Sequence, residues 1–199
     1  MPLTTTTKLQ AVNTLLATIG SAPVNNISGS NSADVAMALQ TLDEVSLSVQ
    51  AKGWHFNTEE DRVYTPDPFT NEITVGNTVL LCDVEHPNND GIDVVLRGTK
   101  LYDRQNRTFE FTKQITAKVI VALDWDELPQ AARFYIMIRS ARIFQDRAVG
   151  SEKHHTFTLR DELTALTQLR RYEGDTADHS IFDNYDVFRV IDRRYPYQF

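Results

Sequence analysis

The sequence is poor in cysteine and glycine and contains no long apolar run. Its single cysteine, Cys82, cannot form a disulfide within the chain, so we expect synthesis in a reducing compartment. No apolar run approaches the ~20 residues that span a bilayer, and the first residues lack the basic and apolar regions of a signal peptide. The eight glycines are scattered and form no phosphate-binding loop. We therefore expect a soluble protein without a membrane segment.

Basic residues are also in the minority. The chain has 20 Lys and Arg against 27 Asp and Glu, which gives a net charge of -7. Non-specific binding of nucleic acid needs arrays of Lys and Arg that face phosphates, so an acidic balance argues against a protein that grips DNA. It remains compatible with a protein that DNA merely passes through.

Arrangements of residues that would support catalysis or bind a metal are missing from the sequence. Two of the five histidines, His154 and His155, are adjacent, the other three are scattered without the spacing of a known ligand set, and there is no G-x-S-x-G nucleophile motif. Cys82 lies in the apolar run TVLLCDV, which predicts a buried strand residue rather than a reactive thiol. We expect no cofactor, no metal and no enzymatic activity.

One acidic cluster supports an alternative hypothesis. Glu59, Glu60 and Asp61 follow one another, and glycoside hydrolysis needs only two carboxylates across a cleft, one of them kept protonated by apolar surroundings. A peptidoglycan hydrolase that uses this carboxylate pair is therefore the alternative function. Acidic runs at the ends of secondary-structure elements are more often caps or solvated turns.

The longest helical pattern covers residues 128–150 and ends at Gly150. Its apolar residues recur near one face, and aromatic side chains around much of its girth predict neighbours on more than one side. Its four arginines point in several directions, which is typical of ion pairs rather than of a stripe that tracks phosphates. We interpret them as candidate subunit contacts: Arg133, Arg139, Arg142 and Arg147.

Three further helices are predicted. The first covers 8–19, and the second runs from a cap at Asn31 to about Lys52. The last covers 158–173, where Leu159, Leu163, Leu166 and Leu169 keep helical spacing before Gly174. Between the second and third helices, β-branched residues and turn dipeptides replace the helical period. Short strands are expected over 92–97, 100–104, 108–112 and 117–123, with a hairpin-type turn at 88–91.

The pattern predicts an α+β fold, namely a four-helix bundle with an antiparallel β-sheet domain inserted between helices 2 and 3, and an extended C-terminal tail. The helical bundle comprises 1–53 and 126–174, the inserted β domain 54–125, and the tail 175–199. The tail is rich in aromatic residues, which mark contact sites when exposed. It packs on its own domain or docks on another subunit, through Tyr185, Phe188, Tyr195, Tyr197 and Phe199.

Four stretches resemble the tail tubular protein A family of short-tailed bacteriophages of the Autographiviridae type. They are LQAVNTLLATIGSAPVNNI (9–27), KGWHFNTEE (52–60), LYDR (101–104) and the long helix LPQAARFYI…RIFQDRAVG within 128–150. The first resembles the family's opening helix with its IG-x-x-PV turn, and the second its (R/K)GW-x-FN signature. Together they cover roughly a third of the residues directly.

The resemblance implies a structural protein of the virion tail, made in the host cytoplasm. Such proteins form a dodecameric ring between the portal above and the tail nozzle, tail tubular protein B, below, with tail fibres as further candidate partners. Double-stranded DNA passes through the lumen without specific binding, and no membrane is involved. A DNA-gripping gatekeeper is a third hypothesis, which the net charge of -7 disfavours.

The second of these stretches also predicts a structural anchor where the β region begins. We expect Trp54 and Phe56 to seat the sheet against the helices, and Asn57 to hydrogen-bond to backbone. This role is packing rather than chemistry.

Overall fold

The computed structural model describes residues 4–28, 32–84, 91–150 and 152–176, the last of these without side chains before residue 159. Within these ranges the chain is a mixture of helices and small antiparallel sheets, so the predicted α+β class is confirmed. The helices are α1 (Lys8–Thr18), α2 (Ala33–Gln50), α3 (Gln130–Ala148) and α4 (Glu152–Thr176). The strands are β1 (Thr58–Tyr64), β2 (Val79–Asp83), β3 (Val94–Arg97), β4 (Lys100–Asp103) and β5 (Ile115–Val121).

Helix α1 begins at a capping box. The Thr7 hydroxyl accepts a hydrogen bond from the Gln10 backbone N–H, and the Gln10 side chain accepts one from the Thr7 N–H. These bonds satisfy amides that the first helical turn leaves without partners. The helix then buries Leu15 and Leu16 completely, or nearly so. Each fully buried leucine contributes about 1.5–3 kcal/mol to folding.

The helices share one apolar core. Helix α3 contacts α1, α2 and α4, and buried residues of all four helices join a single cluster. Trp54 and Trp125, which lie just outside the helices, complete it. The predicted neighbours on more than one side of the long helix are therefore present.

The strands form two antiparallel sheets, one in the order β1-β5-β2 and the other a β3-β4 hairpin. Alternate residues of β5 point into a second apolar cluster, which contains Ile115, Ala117 and Val119. Val94 joins the same cluster, and Ile92 and Leu96 pack partly against it, on the face that the sequence indicates. The helical core and the sheet core are thus separate sets of buried residues.

The predicted strand over 108–112 is wrong. This segment forms only isolated bridges, at Thr108 and Glu110. The Asp103 carboxylate accepts hydrogen bonds from the backbone of Gln105 and Asn106, and this side-chain competition diverts the chain into a turn.

Two other features of the β region differ from the expectation. Strand β1 was not among the predicted strands, because its acidic residues do not alternate with apolar ones. The predicted turn at 88–91 falls mostly outside the described residues. The flanking strands do not form a hairpin with each other, since β2 pairs with β5 and β3 pairs with β4.

Helix α4 is longer than predicted. It begins at Glu152 rather than at residue 158, and it continues through Gly174 to Thr176. Its predicted leucine face is only half covered, because Leu169 is fully buried whereas Leu159 and Leu163 are 40% and 56% exposed. The face that meets α3 is instead centred on Ala165 and Leu169, with Glu162 beside them.

The most deeply buried residues of helix α3 do not all lie on the single face that its apolar spacing predicts. Tyr135, Ile136 and Phe144 are almost fully buried, whereas Phe134 and Ile138 are only half-buried. Because three helices pack around α3, its buried surface is wider than one stripe of helical spacing.

Candidate functional site

The junction between the helices and the β region is held by buried amides. Asn57 is 3% exposed, and its side-chain oxygen accepts a hydrogen bond from the Trp54 N–H at 2.9 Å. Its amide nitrogen donates to the carbonyls of Gln50 and Val121, each at 2.9 Å. One side chain therefore ties the end of α2 to the end of β5.

Gln50 makes a second link across the same junction. It is 1% exposed, its side-chain oxygen accepts from the Leu123 N–H at 2.7 Å, and its nitrogen donates to the Leu123 carbonyl at 3.1 Å. Sequence reasoning missed this residue. The available signal was a polar side chain beside Val49, on the buried face of an amphipathic helix.

The aromatic residues of the junction stack on one another. The rings of Trp54 and Phe56 lie 6.4 Å apart between centroids, with 6° between their planes. The indole N–H of Trp54 donates to the Val49 carbonyl at 2.8 Å, and the His55 backbone N–H donates to the Glu173 carboxylate of α4. The turn that opens the β region therefore contacts both α2 and α4.

Arg133 lies within the helical core. It is 6% exposed, and its guanidinium donates to the carbonyls of Leu128, Asp126 and Thr6 and to the Thr5 hydroxyl. The side chain secures the segment before α1 to the start of α3. Because it is so deeply buried, little of it remains for contact with a neighbouring subunit.

Arg139 and Arg142 bind the same carboxylate on α4. Glu162 is 6% exposed and accepts from Arg139 at 3.3 Å and from the Arg142 Nε. Arg142 also pairs with Asp146 at 3.2 Å. Burial lowers the pKa of Arg142, but the hydrogen bond and charge of Glu162, with Asp146, outweigh it and raise the pKa above its usual value. The guanidinium is permanently charged, so the pair is a fixed clamp between α3 and α4.

Arg147 is the most exposed of the four arginines, with 52% of its side chain accessible. It pairs with Glu44 of α2 at 3.0 Å and donates to the Thr41 hydroxyl at 3.3 Å. Hydrogen bonds from Arg147 and then Gln40 lower the pKa of Glu44. All four arginines thus have partners within the chain, and their contact with a neighbour stays a prediction.

The three acidic residues of the hydrolase alternative lie on β1. Glu59 pairs with Arg62 at 2.7 Å and Glu60 with Lys118 at 2.7 Å, and both carboxylates are more than half exposed. Asp61 sits at a bulge with a φ of 52°. Neither glutamate has the apolar surroundings that keep a carboxyl group protonated at neutral pH.

Cys82 is a buried residue of β2, as its apolar run predicts. Burial, and then the charge of Asp83, raise the pKa of its thiol to about 11, so the thiol stays protonated at neutral pH. Within the described residues, no group of three His, Cys, Asp or Glu is placed to hold a metal ion.

Comparison with known families decides what kind of protein carries this geometry. The model of the tail tubular protein family matches residues 9–179, which is most of the chain. The chain belongs to the tail tubular protein family. The matched range runs from the first turn of α1 through the β region and past the end of α4, so it includes both apolar cores.

Membership gives this tail tubular protein a structural role in the bacteriophage tail, as a component of the virion. No curated protein matches the sequence. None of the helices in the described part of the chain is long and apolar enough to cross a membrane.

The aromatic residues of the predicted docking tail lie outside the described residues. They are Tyr185, Phe188, Tyr195, Tyr197 and Phe199. Asp175 and Thr176, the first two residues of the predicted tail, belong to α4.

Proposed function

We propose that this tail tubular protein forms the adaptor ring between the portal and the tail nozzle, through which double-stranded DNA passes. The observation that carries the proposal is the family match over residues 9–179. In this proposal the ring is a dodecamer, its lower partner is tail tubular protein B, and tail fibres are further candidate partners. The protein acts by assembly and not by catalysis.

The two apolar cores support a division of labour within each subunit. We propose that α1 to α4 form a four-helix bundle from 1–53 and 126–174, and that 54–125 is an inserted domain. The buried side-chain amides of Gln50 and Asn57 hold the two parts together where the end of α2 meets the end of β5. Residues 175–199 complete the subunit as a docking segment.

A closed ring requires two different and complementary surfaces on each subunit. Among the arginines, we propose Arg147 as the subunit or portal contact, because half of its side chain remains exposed. The tail aromatics are the second candidate contact. Arg133, Arg139 and Arg142 contribute indirectly, since their hydrogen bonds hold the helices that carry these surfaces.

The experiment that tests this proposal mixes the purified full chain with its cognate portal. The mass of particles in solution is measured before and after mixing, and the product is imaged. We expect rings on the narrow end of the portal. Chains that stay monomeric and ignore the portal would overturn the proposal, and release of fragments from a peptidoglycan suspension would favour the hydrolase alternative.

A further inference from the structure

Phe69 is the most exposed of the large apolar side chains in the described residues, at 93%. It lies at the tip of the Phe69 turn, which we define as residues 66–72, between β1 and β2. An exposed phenylalanine adds nothing to the apolar core of its own subunit. Aromatic side chains presented in this way are typical anchors of protein–protein interfaces.

The Phe69 turn is ordered by hydrogen bonds although its tip packs against nothing. The Asp67 carboxylate accepts from the backbone N–H groups of Phe69 and Thr70, each at 2.9 Å. The Asp67 carbonyl accepts from the Asn71 N–H at 2.8 Å, and the Asp67 N–H donates to the Glu72 carbonyl at 2.9 Å. Because the turn is ordered before binding, little entropy is lost when Phe69 meets a partner.

Helix α4 exposes a second apolar surface. Leu159 and Leu163 are 40% and 56% exposed, and half-buried Leu166 continues the row by one turn. We call these three residues the α4 leucine stripe. Since both Phe69 and this stripe remain exposed in the isolated chain, neither covers the other within one subunit.

Charge favours a contact between these two surfaces. Arg160 and Arg170 are exposed and lie one turn from leucines of the stripe, three or four residues away. The Phe69 turn carries the exposed carboxylate of Asp67, and its second carboxylate, Glu72, pairs with Lys100 at 2.5 Å. Exposed Glu110 lies beside the turn, where its backbone forms an isolated antiparallel β-bridge with the backbone of Glu72.

Other exposed apolar side chains are less suitable partners for an acidic turn. Leu81, 42% exposed on β2, lies two residues from Asp83 on the same face of the strand. Leu47, 49% exposed on α2, lies one helical turn from Glu44. Like charges brought together across an interface oppose binding, so Asp67 would be repelled beside Leu81. Beside Leu47, the arginine that contacts Glu44 is Arg147, which is already paired with that carboxylate.

We propose that the Phe69 turn of one subunit packs on the α4 leucine stripe of a second copy of this chain. Phe69 inserts beside Leu159 and Leu163, while Asp67 faces Arg160. Because the two surfaces differ, the contact is head-to-tail, and repetition of it closes a ring when the rotation allows. The inference rests on the proposed ring and names its subunit interface.

The test measures the occupancy of rings on the cognate portal for three variants of the full chain. Phe69→Ala and Leu163→Ser each remove one side of the contact, and Leu47→Ser is a matched control on an exposed leucine. All three side chains are exposed, so we expect unchanged melting temperatures. Loss of a central aromatic anchor should weaken assembly by about 30-fold or more. Leu163→Ser should have an effect in the same direction, and Leu47→Ser none.

Cross-linking then identifies the contact directly. Chains with Thr70→Cys and chains with Thr167→Cys keep Phe69 and the leucine stripe; they are mixed with the portal and oxidised, and a covalent dimer is expected. Replacing the second chain by one with Leu47→Cys should give no such dimer. The native Cys82 is buried and protonated, so it does not interfere.

The outcomes separate this inference from the function that it rests on. A wild-type chain that forms no ring on the portal overturns both. Wild-type rings, together with Phe69→Ala or Leu163→Ser rings at wild-type occupancy, overturn the interface alone. A Thr70→Cys chain that cross-links to Leu47→Cys but not to Thr167→Cys also overturns it.

Discussion

Asn57 is the single residue whose loss we expect to loosen the junction most. The substitution Asn57→Ala leaves the Trp54 N–H without its partner and removes the hydrogen bonds that Asn57 donates to the carbonyls of Gln50 and Val121, of which the Gln50 carbonyl keeps the Gly53 N–H. An unsatisfied buried polar group costs about 1–3 kcal/mol, so we expect the free energy of unfolding to fall by at least about 2 kcal/mol. Urea denaturation measures the change.

His55 provides the control for this experiment. Its side chain is exposed in the same turn, and only its backbone N–H is used in a described hydrogen bond. His55→Ala should therefore leave the midpoint of unfolding close to that of the wild type. Equal midpoints for Asn57→Ala and His55→Ala would show that the buried amide does not hold the junction.

Asp67 predicts a pH dependence that is confined to the Phe69 turn. Hydrogen bonds from the Thr70 and Phe69 N–H groups lower the pKa of its carboxyl group below 3.8. A lowered pKa means that this contribution to stability is present above pH 3.8 and is lost as the pH falls through the lowered value. We expect the amide signals of Phe69 and Thr70 to shift only in that acidic range in an NMR titration.

The matched variant for this titration is Asp67→Asn. An asparagine side chain can accept the same hydrogen bonds but does not titrate, so the acid-induced shifts of Phe69 and Thr70 should disappear. Shifts that persist unchanged in the variant would assign them to another group. At neutral pH, loss of the negative charge should also weaken assembly if Asp67 faces an arginine of a neighbouring subunit.

At the scale of secondary-structure elements, one carboxylate joins the two longest helices. Glu162 of α4 accepts hydrogen bonds from Arg139 and Arg142 of α3. Glu162→Gln removes the negative charge and leaves two partly buried guanidinium groups with a weaker acceptor. Hydrogen bonds to charged groups contribute about 1.5–3 kcal/mol, and we expect a loss of unfolding free energy in that range.

The neighbouring Asp161 supplies the comparison, because its side chain is exposed. Asp161→Asn changes the net charge equally but should alter the unfolding free energy by less than about 0.5 kcal/mol. Chemical denaturation of both variants decides the matter. If the two variants lose the same unfolding free energy, the change in net charge is responsible, and the hydrogen bonds of Glu162 do not stabilise the contact between α3 and α4.

At the scale of the whole molecule, acidic charge governs the expected behaviour toward DNA. With a net charge of -7, the free chain should not bind double-stranded DNA measurably at physiological salt. A mobility-shift titration at several salt concentrations tests this expectation. Binding that weakens steeply as salt rises would support the DNA-gripping gatekeeper and contradict a lumen that DNA merely passes through.

Assembly is the other property that belongs to the whole molecule. Within one chain, the apolar clusters cover the inner faces of the helices and sheets, while Phe69 and the α4 leucine stripe stay exposed. Such surfaces are costly in a free monomer and useful in a ring, where each subunit covers those of its neighbours. The subunit therefore presents binding surfaces that its own fold does not cover.

Local signals were sufficient to predict much of the fold. Helical spacing and stop residues predicted the extents of α1, α2 and α3 to within about two residues, and the run around Cys82 predicted a buried strand. The exposed strand β1 was missed, because its acidic residues carry no apolar alternation. The strand predicted at 108–112 failed, because Asp103 bonds locally to the following backbone.

The candidate site was predictable only in part. Trp54, Phe56 and Asn57 stood out because they belong to the short GW-x-FN motif at the point where the helical pattern ends and the β region begins. Gln50 and Glu162 did not, since a polar residue on an amphipathic helix reveals neither its burial nor its partner. Their importance arises from residues more than twenty positions away in sequence, Leu123 for Gln50 and Arg139 for Glu162.

By itself, the sequence determined the α+β class, the positions of the helices and the family, because these depend on local periodicity and on short motifs. Tertiary structure alone decided which polar groups are buried and which apolar groups are not. Leu159, Leu163 and Leu169 share one helical pattern, yet only Leu169 is buried. The physical reason is that burial depends on where α3 contacts α4, and no local pattern encodes that contact.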